Sequence, residues 1–87
     1  MLISMSLQAR KQIKKLPQNR VELVVQALRD LERNPYLGDP KTGDLAGFLT
    51  YRFRMFNELW LIGYSFLDEN RILIHKIGPR ENFYKGV

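Results

Sequence analysis

Two arginines separated by one residue are the clearest candidates for chemistry in this sequence. Arg52 and Arg54 lie in the stretch FLTYRFRMF, where polar and apolar residues alternate as in a half-buried β-strand. Such a strand directs both guanidinium groups to the same side, about 7 Å apart. Guanidinium groups bind phosphate oxygens in a bidentate manner, so the pair is suited to neighbouring phosphates. The solvated face of an ordinary amphipathic strand is the alternative interpretation.

A second candidate site lies in the segment GPRENFY, residues 78–84. The Gly-Pro pair predicts a turn after the last strand, so Arg80 leaves from the edge of the sheet. Tyr84 follows four residues later and shares a side with Arg80 if the tail is helical. Together they could hold a phosphate and transfer a proton. In the alternative interpretation the tail folds back and buries Phe83 and Tyr84, and burial of Phe83 is compatible with a functional Tyr84.

His75 is a third candidate, with Lys76 beside it in the last predicted strand. A single histidine in a strand is more often structural than catalytic. The sequence does not decide which sheet face His75 occupies, because the preceding turn at residues 68–70 has either two or three residues. A change of one residue in that turn reverses the face.

The composition excludes several other kinds of site. The 87 residues include no cysteine and one histidine, which excludes disulfides, thiolate metal sites and histidine clusters. The sequence also contains neither a Gly-rich phosphate loop nor a G-x-S-x-G motif, and we expect no metal or other cofactor. Fourteen basic against nine acidic residues give a formal net charge of +5. This balance favours a polyanionic partner: nucleic acid, the ribosome, an anionic membrane or an acidic protein segment.

The elements that must position these residues are helices in the N-terminal part of the sequence and strands in the C-terminal part. Residues 6–16 predict an amphipathic helix capped by Ser6 and ended by Pro17, and a second helix is predicted from Asn19, as its cap, to Arg33. Residues 34–47 predict a loop. Three strands are predicted at 48–56, 59–67 and 71–77, with a hairpin turn at Asn57-Glu58 and a possible additional strand in the leading LISMS.

These elements predict an α+β fold for a single domain covering residues 1–87. An N-terminal helical hairpin packs on one face of a small antiparallel β-sheet, and the other face is partly open. Tyr51, Phe53 and Met55 would share one strand face, while Thr50, Arg52 and Arg54 share the other. Trp60, Phe56 and Tyr64 are expected in the core or at its rim.

The expected location of the protein follows from the same sequence. No apolar run is long enough to span a membrane, and the N-terminus becomes charged too early for a secretory signal. We therefore expect a cytoplasmic protein without a membrane partner.

The ordered elements, together with particular residues, resemble the RelE/ParE superfamily of bacterial toxin–antitoxin toxins. The similar stretches are ARKQIKKLP, LRDLERNPYLGDPKTGDLAGFLTYRFRM, WLIGYSF and ILIHKIGPRENFY, which together cover nearly the whole chain. The resemblance implies a toxin that a cognate antitoxin holds inactive, with operator DNA bound only through the antitoxin. RelE-like members are ribosome-dependent endoribonucleases that cut messenger RNA, whereas ParE-like members poison DNA gyrase.

The resemblance also assigns roles to individual residues. Arg52 and Arg54 match the basic pair of the family, Arg80 matches the arginine at the end of the last strand, and Tyr84 matches the C-terminal tyrosine. Two departures exist: Leu61 takes a position where the nuclease branch usually has arginine, and Arg54 stands where that branch tends to have lysine. Arginine stays protonated and is a poor general base.

The resemblance and the residue chemistry together give one functional hypothesis with two alternatives. We expect a metal-independent mRNA endonuclease that inhibits translation on the ribosome; a gyrase inhibitor and an inert antitoxin-binding relative are the alternatives. The expected catalytic residues are Arg80, Tyr84, Arg54 and His75. The expected RNA-binding residues are Arg52, Arg54, Lys76 and Lys85.

Overall fold

The fold places two helices against one face of a five-stranded sheet. The computed structural model describes residues 1–84. The elements in chain order are β1 (Leu2–Met5), α1 (Leu7–Lys14), α2 (Gln18–Arg33), β2 (Asp39–Pro40), β3 (Phe48–Met55), β4 (Glu58–Asp68), β5 (Arg71–Pro79) and α3 (Arg80–Phe83). The predicted α+β fold, with a helical hairpin on one sheet face, is confirmed.

The sheet has the strand order β1-β5-β4-β3-β2. The β2–β3, β3–β4 and β4–β5 pairs are antiparallel. The additional strand that the sequence suggested in LISMS is present as β1. It joins β5 in parallel, with Leu2 opposite Arg71, so the sheet is antiparallel with one parallel edge. The loop predicted over residues 34–47 contains two short elements, β2 and a 3-10 turn at Gly43–Leu45.

The β3–β4 hairpin turns at Phe56-Asn57, one residue earlier than the predicted Asn57-Glu58. Met55 pairs with Glu58 across the turn, and Phe56 has a φ of 58°, in the left-handed region. Met55 is fully buried, and Glu58 accepts a 3.1 Å hydrogen bond from the Arg20 guanidinium. These tertiary contacts favour the observed register. A prediction from the turn propensities of single residues takes no account of such contacts.

The N-terminal ends of the two helices differ in how they are capped. Ser6 caps α1 as predicted, because its Oγ accepts a hydrogen bond from the Ala9 amide at 3.1 Å. The prediction that Asn19 caps α2 is wrong, since the helix begins at Gln18 with Pro17 in the cap position. Proline has a fixed φ near that of a helix and needs no amide partner at this end, so the helix can begin directly after it.

The core lies between the helices and one face of the sheet. Its most fully buried side chains come from α2 and the three long strands: Val24, Leu31, Met55, Ile62, Tyr64, Ile72, Ile74 and Ile77. Trp60 and Tyr64 are buried as expected, whereas Phe56 is 57% exposed at the hairpin turn. Within residues 1–84, none of the helices has the length and apolar character needed to cross a membrane.

Candidate nucleic-acid interface

The sheet face opposite the helices carries the predicted basic pair. Arg52 lies opposite Leu61, and Leu61 lies opposite Gly78 on β5. Arg54 occupies the next row toward the hairpin turn, opposite Leu59. Both arginines are exposed, while Leu61 is 3% exposed. Strand alternation therefore predicted the face of the arginine pair correctly.

A small cleft forms where the C-terminal helix returns over this face. α3 begins at Arg80, directly after β5, and carries Tyr84 back toward β3. The cleft has a volume of about 190 Å³ and is lined by Asp39, Lys41, Thr50, Arg52, Leu61, Arg80 and Tyr84. We call it the cationic cleft, because three basic side chains and one carboxylate are among these lining residues.

The charges in the cationic cleft are accessible to a ligand. The Arg52 Nε lies 3.5 Å from the Asp39 Oδ2, and both side chains are more than half exposed. An exposed ion pair of this kind contributes only about 0–1 kcal/mol, so a phosphate can replace the carboxylate at low cost. The Lys41 ammonium lies 5.9 Å from the centre of the Tyr84 ring. Cations from β3, from α3 and from the residue that follows β2 therefore line one cleft with this tyrosine.

Phe83 anchors α3 on the sheet. It is 6% exposed, and a Cβ added to Gly63 would lie 2.9 Å from its Cζ. The absence of a side chain at Gly63 thus creates the space that the Phe83 ring fills. Tyr84, the next residue, remains 46% exposed. The tail does fold back, and this buries Phe83 while leaving Tyr84 at the surface.

A β-bulge decides the face of His75. The register between β4 and β5 shifts after Gly63, which pairs with Lys76, whereas Tyr64 pairs with Ile74. The extra residue in β5 is His75, and its ring lies on the open face, where Nε2 is 2.7 Å from the Ser65 Oγ. Burial lowers the pKa of His75 below its ordinary value of 6.5. The imidazole is therefore neutral at pH 7.

His75 and Lys76 lie outside the cationic cleft and have other contacts. The His75 ring meets the Phe48 ring edge to face, with their centres 4.7 Å apart. The Lys76 ammonium donates a hydrogen bond to the Phe83 carbonyl and lies 5.2 Å from the centre of the Phe83 ring. Both residues line a second cleft, whose lining residues do not include Arg52 or Arg80.

The structure thus groups some of the candidates from the sequence and separates others. Arg52, Arg80 and Tyr84 share the cationic cleft, whereas Arg54 is on the same face but is not among its lining residues. Lys85 lies outside the described residues. The sequence prediction missed Asp39, which lies in β2, and Lys41, which directly follows it. The pairing of β2 with β3 brings both residues to the cleft. A two-residue strand inside a Pro- and Gly-rich loop gives no recognisable signal in the sequence.

Comparison with known proteins identifies the family. The family of ParE-like toxins of type II bacterial toxin–antitoxin systems matches residues 3–87, and the chain belongs to this family. The RelBE2 toxin–antitoxin complex of Mycobacterium tuberculosis contains a similar chain, with 28% identity and a TM-score of 0.78 over 91% of this chain and 96% of that chain.

Two further solved structures share the fold at lower identity. The RelBE complex of E. coli is 17% identical, with a TM-score of 0.69 over 88% of this chain and 93% of that chain. The archaeal RelE–RelB complex of Pyrococcus horikoshii is 23% identical, with a TM-score of 0.58 over 91% and 93%. We found no curated protein with significant similarity.

Proposed function

We propose that this toxin cuts messenger RNA on the ribosome and is neutralised by a cognate antitoxin. The observation that supports the nuclease most strongly is the cationic cleft, in which Lys41, Arg52 and Arg80 surround the exposed Tyr84. The cleft offers positive charge for an RNA phosphate and a hydroxyl group for proton transfer in the same small space.

The cleft offers groups that can support RNA cleavage through the ribose 2′-hydroxyl. The 2′-oxygen attacks the adjacent phosphorus while its proton passes to a base, and the bond from phosphorus to the 5′-oxygen breaks as that oxygen gains a proton. The products are a 2′,3′-cyclic phosphate and a free 5′-hydroxyl. Arg80 stabilises the charge that develops on the phosphoryl oxygens, Arg52 positions the backbone, and Tyr84 transfers protons.

The placement of the other candidates refines this assignment. His75 bonds to Ser65 and borders the second cleft, so Tyr84 is the better-placed proton-transfer group. Arg54 lies one row outside the cationic cleft, where a guanidinium can hold the next phosphate along the strand direction. Lys76 supports RNA binding indirectly, because it holds the end of α3.

The antitoxin assignment draws on the solved relatives. The three related structures described above are toxin–antitoxin complexes. This chain carries a formal charge of +5 and an open cationic face, which an acidic or extended antitoxin segment can cover. We propose that operator DNA is contacted only through that antitoxin, and that the toxin acts in the cytoplasm, where ribosomes are found.

Inhibition of DNA gyrase is the second candidate function. Its supporting observation is that β4 presents two leucines, Leu59 and Leu61, opposite the two arginines, and that Leu61 stands where the nuclease branch usually has arginine. The matching family is also described as ParE-like. A protein that only binds its antitoxin is the remaining alternative.

Induction of the toxin in bacteria, with transcript ends and DNA breaks mapped in the same culture, distinguishes these functions. We expect new in-frame cuts within translated messages and few DNA breaks. Gyrase-linked breaks with an SOS response and intact messages would instead establish the gyrase inhibitor. Neither effect, despite soluble expression without an antitoxin, would establish the inert relative.

A further inference from the structure

The cationic cleft includes one carboxylate, and this group can do chemistry that the surrounding cations cannot. RNA cleavage through the 2′-hydroxyl needs one group that accepts a proton and another that donates one. Arg52 and Arg80 stay protonated, and the Lys41 ammonium has only donors. Among the side chains that line the cleft, the Asp39 carboxylate is the one that accepts hydrogen bonds without donating any. It therefore has the chemistry of a proton acceptor.

Strand pairing directs the Asp39 side chain toward the cleft. Asp39 lies opposite Thr50 in the β2–β3 pair, and residues that lie opposite each other in an antiparallel pair share a face. Thr50 lines the cleft and is 5% exposed. Arg52 follows two residues later on the same face, and its Nε lies 3.5 Å from the Asp39 Oδ2. A phosphate held by Arg52 would therefore lie next to the carboxylate.

Hydrogen bonds fix the backbone on both sides of Asp39. On one side, the Gly38 amide donates to the hydroxyl of the fully buried Tyr64 at 2.9 Å. On the other side, the Lys41 amide donates to the Phe48 carbonyl at 2.9 Å. The carboxylate is thus held in a defined place, although it lies in a loop rich in proline and glycine. Such positioning is a requirement for a group that transfers a proton in a reaction.

The charge of Asp39 opposes the binding of a phosphate. The cations Lys41, Arg52 and Arg80 sum to +3, and Asp39 lowers the charge of the cleft to +2. A like charge beside a phosphate weakens its binding, so binding alone gives the carboxylate no role. Once a phosphate replaces it on Arg52, however, the carboxylate is released beside the sugar that carries the attacking hydroxyl.

We propose that Asp39 is the general base of RNA cleavage and that Tyr84 is the general acid; the inference rests on the proposed nuclease function. The Asp39 carboxylate takes the proton of the 2′-hydroxyl as the 2′-oxygen forms its bond to phosphorus. The Tyr84 hydroxyl gives its proton to the 5′-oxygen as the bond from phosphorus to that oxygen breaks. The proton on Asp39 then returns to the Tyr84 oxygen through water, which restores both groups.

Replacement of Asp39 by asparagine tests the assignment in the full chain, acting on ribosomes that carry a defined message. Asp39→Asn keeps the size of the side chain and removes its charge. Single-turnover cleavage should fall by about 10²–10⁴-fold, the usual contribution of a general base. Inorganic phosphate, titrated onto the variant, should bind at least as tightly as to the wild type. Unchanged or faster cleavage would overturn the proposal, because the carboxylate would then merely compete with RNA for Arg52.

Asp44→Asn is the matched control for the loss of charge. Asp44 is exposed in the 3-10 turn of the same loop and is not among the residues that line the cationic cleft. This variant should keep the wild-type rate, and Asp39→Glu, which retains a carboxylate, should recover part of the rate lost in Asp39→Asn. An equal loss in the two asparagine variants would contradict a specific role for Asp39.

A message with sulfur in place of the 5′-oxygen at the mapped cut site separates the two proton transfers. A thiolate leaves without being protonated, so Tyr84→Phe should regain most of its lost rate on this substrate. Asp39→Asn should stay slow, because the 2′-hydroxyl must still lose its proton. Rescue of Asp39→Asn in place of Tyr84→Phe would overturn the proposed roles.

The wild-type chain distinguishes failure of this inference from failure of the proposed function. If the wild type cuts the message and Asp39→Asn cuts it equally fast, the nuclease stands and Asp39 is not its base. A wild-type chain that cuts no message overturns the nuclease, and the role of Asp39 with it.

Discussion

Replacement of Arg80 by alanine is the most informative single change in the cationic cleft. Arg80 is exposed at the first position of α3 and lines the cleft with Lys41 and Arg52. These three cations and the Asp39 carboxylate sum to +2, and Arg80→Ala lowers the sum to +1. A single well-placed donor to a developing charge is typically worth about 10²–10³ in rate. We expect a loss of that size in cleavage.

The stability of the Arg80→Ala variant should change little. The side chain is exposed, and substitutions at such positions usually alter the free energy of unfolding by no more than about 0.5 kcal/mol. Urea unfolding should therefore give nearly the wild-type midpoint. Arg71→Ala is a matched control, because Arg71 is an exposed arginine at the opposite end of β5. It should keep wild-type activity.

The assay combines growth arrest after induction with cleavage of a defined message on purified ribosomes. Arg80→Lys should recover part of the rate, since it restores the charge without the bidentate geometry. A folded Arg80→Ala protein with full toxicity and full cleavage would remove Arg80 from the site and refute the reasoning. An equal loss of activity in Arg71→Ala would show that general positive charge, and not this cleft, is responsible.

Three further predictions concern the framework of the site. Gly63→Ala should displace the Phe83 ring, because the added Cβ would lie 2.9 Å from it; we expect a loss of about 1–3 kcal/mol in urea unfolding and reduced toxicity. Tyr64→Phe removes a hydroxyl that donates to the Pro35 carbonyl at 2.7 Å, which should cost about 1–3 kcal/mol in the same measurement because the partner is buried. Burial lowers the pKa of His75, so the unfolded state binds its proton more tightly, and the free energy of unfolding should fall as pH drops below about 6.5. His75→Gln should remove that dependence, and a wild-type curve that is flat between pH 7 and pH 5 would contradict it.

The parts of the fold that local patterns determine were predictable from the sequence. The alternation in FLTYRFRMF placed Arg52 and Arg54 on the open face, and the Ser6 cap followed from side-chain chemistry. The hairpin turn lies one residue before its predicted position, because burial of Met55 outweighs the turn preference of Asn57-Glu58. Local sequence propensity does not include the stabilisation that comes from burying a side chain in the core.

The candidate site was predictable only in part, for a similar reason. The sequence pointed to Arg52, Arg80 and Tyr84, each from its own segment, but their meeting in one cleft depends on α3 folding back over Gly63. The face of His75 depends on a β-bulge. A bulge inserts one residue into a strand and reverses the alternation beyond it, and no sequence pattern here marks its position.

Cleavage of a defined message by the purified chain, with and without ribosomes, tests the central claim most directly. We predict cuts only when ribosomes are present, with 2′,3′-cyclic phosphate and 5′-hydroxyl ends, and loss of these cuts in Arg52→Ala and Arg80→Ala. An unchanged message, from a chain that nevertheless arrests growth and blocks supercoiling by purified gyrase, would contradict the claim.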